Sequence, residues 1–217
     1  MDLRHDQGGA RTAFAWILKQ LMNQKHNLTL GDILSLEEYG KIRMESRKKI
    51  SERKRNRRVD VGPYVTFYFE NYETMWCQVH EMVYIEKGGA EQVKQELEAY
   101  NPLIPKGQEL VATFMIEIDD PDRRKYILGS LGGVEESAFI SISGERIMGA
   151  PEADQDRTRS DGKASAVQFV HFPFTRPQIE AFRSGTAQVI IGFSHPAYGH
   201  MTIVPEPVRA ELAGDFD

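Results

Sequence analysis

Residues 61–105 read VGPYVTFYFENYETMWCQVHEMVYIEKGGAEQVKQELEAYNPLIP. Gly62-Pro63 is a breaker pair. From Tyr64 to Glu70 the side chains alternate, with Val65, Phe67 and Phe69 on one face and Tyr64, Thr66, Tyr68 and Glu70 on the other. This two-residue period marks a half-buried strand. Asn71-Tyr72-Glu73 supplies turn chemistry, and the strand formers of Thr74–Val79 predict a hairpin partner. Gln78–Lys87 fits two periods: Val79, Met82, Val83 and Glu86 recur at helical spacing, while Val79, Glu81, Val83 and Ile85 would recur as a strand. The helix is favoured. Gly88-Gly89 closes it, and Ala90–Tyr100 reads as a second amphipathic helix with Val93, Leu97 and Tyr100 inward. Asn101-Pro102 ends that helix, because the residue before proline avoids the helical region.

Towards the N-terminus, Ser35-Leu36-Glu37-Glu38 has capping-box spacing and predicts a helix running into the basic stretch 41–58. Residues 1–28 read as a polar extension, disordered apart from one short helix around Ala13–Met22. Towards the C-terminus the order is strand (Leu110–Ile118), helix (Pro121–Leu131), strand (Ala138–Ser143) and a polar loop at Pro151–Lys163. Strand (Ala166–Phe172), helix (Arg176–Phe182) and strand (Ala187–Phe193) follow. Both helices have proline near the first helical position. The fold class is α+β: N-terminal helices and a β-hairpin packed on either a split βαβ, ferredoxin-like sheet or a sandwich-like antiparallel one. The expected division is 1–28, 29–105 and 106–217.

The chain of 217 residues is 41% hydrophobic and 27% charged, an ordinary globular composition. No run approaches the roughly 18 apolar residues that span a bilayer, and the short apolar run Ala13–Leu18 lacks a cleavage signal, so a cytoplasmic location without membrane partners is expected. One cysteine, Cys77, excludes an internal disulfide and any cysteine-rich zinc or iron–sulfur site. Residues 41–58 hold ten basic side chains against Glu45 and Glu52, a net of +8, which leaves −13 for the rest of a chain whose total is −5. A polyanion site over Arg47, Lys48, Arg53, Lys54, Arg55, Arg57 and Arg58 would gain from counterion release. No recognition motif or interleaved aromatic accompanies the run, so nucleic acid is not the expected partner. A helix face docked on the protein's own acidic body, with Ile42 and Ile50 inward, is.

The blocks GPYVTFYFENYETMWCQVHEM, ELEAYNPLIP, VATFMIEI, SAVQFVHF and SHPAYGHMTIVPEPVRAEL, with DILSLEEYGKIR nearer the start, resemble the bacterial domain-of-unknown-function family numbered 3501. The likeness runs from about Leu28 to the C-terminus. Members are often encoded near rubrerythrin-like or cysteine-rich iron–sulfur proteins, so the resemblance implies a redox or stress-response setting and a redox or iron–sulfur partner protein. It implies no chemistry. The chain departs from the family's pattern at His80, where an amide or another polar residue is usual, which argues against a catalytic His80.

Glu70, Glu81 and Glu117 sit in or beside apolar segments, where an unpaired charge is costly, so each needs a partner. If the hairpin, the Gln78–Glu86 segment and the Glu117 strand form one layer, then Gln78, Glu81 and Glu117 share a polar pocket that His195 enters from the C-terminal loop. Glu81, Glu117, His171 and His195 would be the ligands of an iron, manganese or zinc ion, though no motif such as H-E-x-x-H is present. Separate neutralisation of each carboxylate by arginine or lysine is the simpler alternative. Cys77 and His80 lie three apart, but an inert buried cysteine beside Trp76 is expected. The loops Asn101–Pro105 and Ser194–Tyr198 suit a binding rim or a plain turn. No phosphate loop, dinucleotide fingerprint or nucleophile elbow occurs. The functional expectation is a non-enzymatic accessory or binding protein. A metal-dependent or small-ligand enzyme is the first alternative and nucleic-acid binding the second.

Overall fold

A computed structural model describes residues 26–152 and 163–217. The helix expected at Ala13–Met22 and most of the 151–163 loop lie outside them. Helix α1 (Leu36–Lys54) starts at the anticipated capping box: the Ser35 Oγ accepts from the Glu38 amide at 3.2 Å and Glu38 Oε2 accepts from the Ser35 amide at 3.0 Å. It stops at Lys54 rather than reaching Gly62. One 3-10 turn follows, and then β1 (Arg58–Val61) pairs antiparallel with β2 (Val65–Glu70). The hairpin therefore lies before β2, turning at Gly62, whose φ of 66° a side chain resists.

The expected strand at Thr74–Val79 is instead the first half of helix α2 (Tyr72–Glu86). Asn71 Oδ1 accepts from the Thr74 amide at 3.0 Å, while Thr74 Oγ1 accepts from the Asn71 amide at 2.9 Å. This reciprocal cap, with Met75, Val79 and Val83 buried at four-residue spacing, outweighs the strand propensities of Thr74 and Trp76. Lys87 ends α2 in the left-handed region, and α3 (Gly89–Tyr100) follows as expected.

The remaining strands are β3 (Glu109–Ile116), β4 (Ala138–Ile142), β5 (Glu145–Met148), β6 (Ala150–Pro151), β7 (Val167–Pro173), β8 (Val189–Phe193) and β9 (Met201–Ile203). With them run helices α4 (Pro121–Ser130), α5 (Arg176–Ser184) and α6 (Glu206–Leu212). They do not make one split βαβ sheet. A five-stranded antiparallel sheet has the order β1-β2-β3-β7-β6 and a second, four-stranded sheet the order β5-β4-β8-β9. The sandwich alternative is the observed one, and the architecture is α+β. Phe67 and Phe114 of the first sheet meet Phe193 of the second with ring centroids 5.1 and 5.2 Å apart, so the two apolar faces close on each other.

The outer face of the first sheet is also covered. Leu28, Tyr72, Met75, Val79, Leu97 and Leu103 pack with Val111 of β3, placing α2 and α3 over β2, β3 and β7. This second layer is why Glu70 and Thr113 are buried although they point away from the sandwich core. The boundary expected at 105/106 is crossed by the β2–β3 ladder. Among the described residues no helix is long and apolar enough to cross a membrane.

Candidate functional site

Between the outer face of the first sheet and its helical cover lies a cavity of about 500 Å³. Strand alternation sends Tyr68 and Glu70 of β2, Thr113 and Met115 of β3, and Val167 and Phe169 of β7 to this side. Helix α2 contributes Met75 and Gln78, three residues apart on one face. The end of α3 contributes Tyr100, the turn after it Leu103, and the end of α1 Lys54. Met75, Leu103, Met115, Val167 and Phe169 form an apolar bed.

Polar groups converge on it. Glu70 is 6% exposed, and its Oε1 accepts from Thr113 Oγ1 at 2.9 Å. Its Oε2 is buried with no hydrogen-bond partner among the described residues. An unpaired buried acceptor costs about 1–3 kcal/mol, so the fold carries a polar group that a second molecule could satisfy. Gln78 Nε2 donates to the Tyr100 hydroxyl at 3.4 Å, and the Tyr68 hydroxyl donates outward to Glu117 at 3.3 Å. Burial, followed by the Glu117 charge, pushes the Tyr68 phenol up and keeps it protonated. Lys54 also lines the cavity.

Of the four residues expected to share a pocket, Gln78 alone lines this cavity. Glu81 faces α1, where Arg43 donates to both of its oxygens at 2.8 Å and the Tyr39 hydroxyl donates at 2.8 Å. The Arg43 hydrogen bonds hold the Glu81 carboxyl below its usual range. Glu117 is exposed at the end of β3. His195 belongs to the loop after β8: its Nδ1 accepts from the Ala197 amide at 3.2 Å, so Nε2 carries the proton and donates to the Gly132 carbonyl at 3.1 Å. His171 lies between Glu109 and Glu152, which meet its two ring nitrogens at 3.0 and 2.8 Å from opposite sides. Among the described residues no group of three or more His, Cys, Asp and Glu side chains could hold a metal ion, so the iron, manganese or zinc set is not assembled.

The basic segment largely docks on the body. Arg53 pairs with Glu73 and Glu211, while Arg57 is 1% exposed and pairs with Asp215 at 2.5 Å. Arg47 reaches Glu81 at 3.8 Å; Lys48, Arg55 and Arg58 remain exposed. Ile50 is partly buried, but Ile42 is 40% exposed, contrary to expectation, because α1 lies along α2 on the side of Tyr39 and Arg43.

Three further groups are structural. The His80 Nε2 accepts from the Leu34 amide at 3.0 Å and its Nδ1 proton goes to the Trp76 carbonyl at 2.7 Å, which ties the entering chain to α2. Asn101 brackets the Leu28 amide and carbonyl at 2.6 and 3.0 Å. The Tyr198 hydroxyl donates to the Val61 carbonyl at 2.8 Å and accepts from the Tyr64 and Val65 amides, so both proline loops serve as fastenings. Cys77 is buried, which pushes its thiol up.

The family model described as "Protein of unknown function (DUF3501)" matches residues 27–216. A crystal structure of a "novel protein of unknown function" from Burkholderia pseudomallei K96243 is 33% identical, with a TM-score of 0.81, over 88% of this chain and 100% of that one. A search of the curated proteins gives no match. The chain belongs to the DUF3501 family.

Proposed function

We propose that this family member is a non-catalytic accessory or binding protein that holds a small molecule between its first sheet and helices α2 and α3. The observation that supports this reading is Glu70, a deeply buried acid that lines a cavity of about 500 Å³ and has one oxygen without a partner among the described residues. An apolar bed with a few convergent polar groups is the usual make-up of a small-molecule site, and the volume lies within the usual range of about 300–1,000 Å³. The redox or stress-response setting and the iron–sulfur partner protein belong to the family resemblance. Cys77, buried and beside the Tyr39 hydroxyl at 3.9 Å, adds no support for thiol chemistry.

Methyl-labelled methionine spectra test the proposal. Met75 and Met115 line the cavity, whereas Met44 and Met201 are exposed. Titration with a library of small amphipathic molecules should shift the first two methyl signals and leave the latter two in place. A library that never moves Met75 or Met115 would refute the reading.

A further inference from the structure

The charges inside the cavity narrow its ligand, given that the cavity binds a small molecule as proposed above. The unpartnered Glu70 Oε2 is an acceptor, and it calls for a donor from the ligand. Lys54 lines the same cavity, makes no ion pair with any described residue and leaves Oε2 unpaired. The cavity lining thus offers a carboxyl and an ammonium that do not neutralise each other. A simple cation would meet Glu70 and be repelled by Lys54; a simple anion would suffer the reverse. A molecule carrying both signs satisfies both groups without adding net charge to a half-enclosed space. The same cavity offers Met75, Met115 and Phe169, a flexible, polarizable surface suited to an apolar body.

We infer that the cavity takes an apolar zwitterion of amino-acid type, its ammonium against Glu70, its anionic group toward Lys54, and its apolar body on Met75, Met115 and Phe169. Thr113 acts as a positioning residue: its hydroxyl occupies Oε1 of Glu70 and leaves Oε2 for the ligand.

Four probes of one shape separate the possibilities: L-phenylalanine, phenethylamine, 3-phenylpropionate and phenethyl alcohol. Calorimetric titration, with the Met75 and Met115 methyl signals locating the binding, should rank phenylalanine tightest. Glu70→Gln should weaken phenylalanine and phenethylamine by about tenfold and spare phenylpropionate, while Lys54→Met should weaken phenylalanine and phenylpropionate by about tenfold and spare phenethylamine. If phenethyl alcohol binds at Met75 and Met115 as tightly as phenylalanine, the zwitterion is wrong while the cavity remains a binding site. If none of the four moves those methyls, the zwitterion fails with them, and the library titration above then decides the cavity separately. The ranking of probes on the unaltered protein is decisive by itself should either variant fail to fold.

Discussion

Replacing Arg57 tests the reading of the basic segment most sharply. Its guanidinium is 1% exposed and fully engaged: Nε donates to the Phe69 carbonyl at 3.0 Å, Nη2 to the Glu70 carbonyl at 3.0 Å, and Nη1 and Nη2 to Asp215 at 3.1 and 2.5 Å. Arg57→Met keeps much of the volume but leaves the Asp215 carboxyl, 4% exposed, without its counter-charge, and leaves the carbonyls at the end of β2 without a donor. Breaking a buried pair from one side costs about 3–5 kcal/mol. For a chain of this size, each kcal/mol lowers Tm by about 2–4 °C, so a fall of about 6–20 °C is expected. The neighbouring Arg58 is exposed, and Arg58→Met should stay within about 0.5 kcal/mol of the parent. Paired urea and thermal unfolding of both variants gives the comparison. Arg57→Met with Asp215→Leu should recover part of the loss, because the orphaned charge is removed with its partner. Equal, small effects at positions 57 and 58 would refute the inward-docked arginine and restore a solvated basic face.

The Phe67 ring is wholly buried against Phe69, Phe114, Phe172 and Phe193, so Phe67→Ala should cost about 3–5 kcal/mol in urea unfolding; a cost near zero would contradict the two-sheet core. Burial depresses the His80 pKa, so the stability it contributes is intact above about pH 6.5, the unfolded value, and is lost as pH falls below it. At His171 burial opposes the charge, but the Glu109 and Glu152 carboxylates outweigh it and raise the pKa. Its contribution is therefore full below about pH 6.5 and lost as pH rises through the raised folded value. Tm against pH should lose its acid-side fall in part with His80→Gln and its alkaline-side fall in part with His171→Gln; unchanged profiles would count against both geometries. Cys77 should resist a thiol reagent in the folded protein and react once urea unfolds it, since burial holds the thiol up and shields it.

Periodicity made β2 and β3 legible, since Val65, Phe67 and Phe69 alternate with polar neighbours and the run Leu110–Ile118 is apolar apart from Thr113 and Glu117. It failed at Thr74–Val79, where residues with strand propensity are held helical by the Asn71–Thr74 cap and by Met75, Val79 and Val83 against the sheet. It also passed over β5 and β9. Glu145, Arg146 and Met148 are exposed on β5, and Met201 and Ile203 are exposed on β9, so neither strand shows an apolar inside and a polar outside. A period of two says which way a side chain points but not which sheet a strand joins, and for that reason one sheet and two could not be told apart. The same limit applied to the site. Gln78 lines the cavity and Glu70 reads as an acid in an apolar run, yet grouping Glu81 with Glu117 assumes a single layer. Arg43, one turn along α1 from Tyr39, claims Glu81 instead.

The order in which the chain visits its two sheets carries a consequence for how the protein is made. Strands β1 to β3 lie in the first sheet, β4 and β5 in the second, β6 and β7 in the first again, and β8 and β9 in the second. Emerging from the ribosome, the first half presents a three-stranded surface bearing Phe67 and Phe114, whose cover at Phe193 arrives only with β8. Nor does the buried Arg57 meet Asp215 until the chain has grown by a further 158 residues. Sequence-distant closure of this kind slows folding and prolongs the life of sticky intermediates. Nascent chains should therefore depend on chaperones until β8 and Asp215 have emerged, and fragments ending before β8 should be recovered from cells as insoluble material.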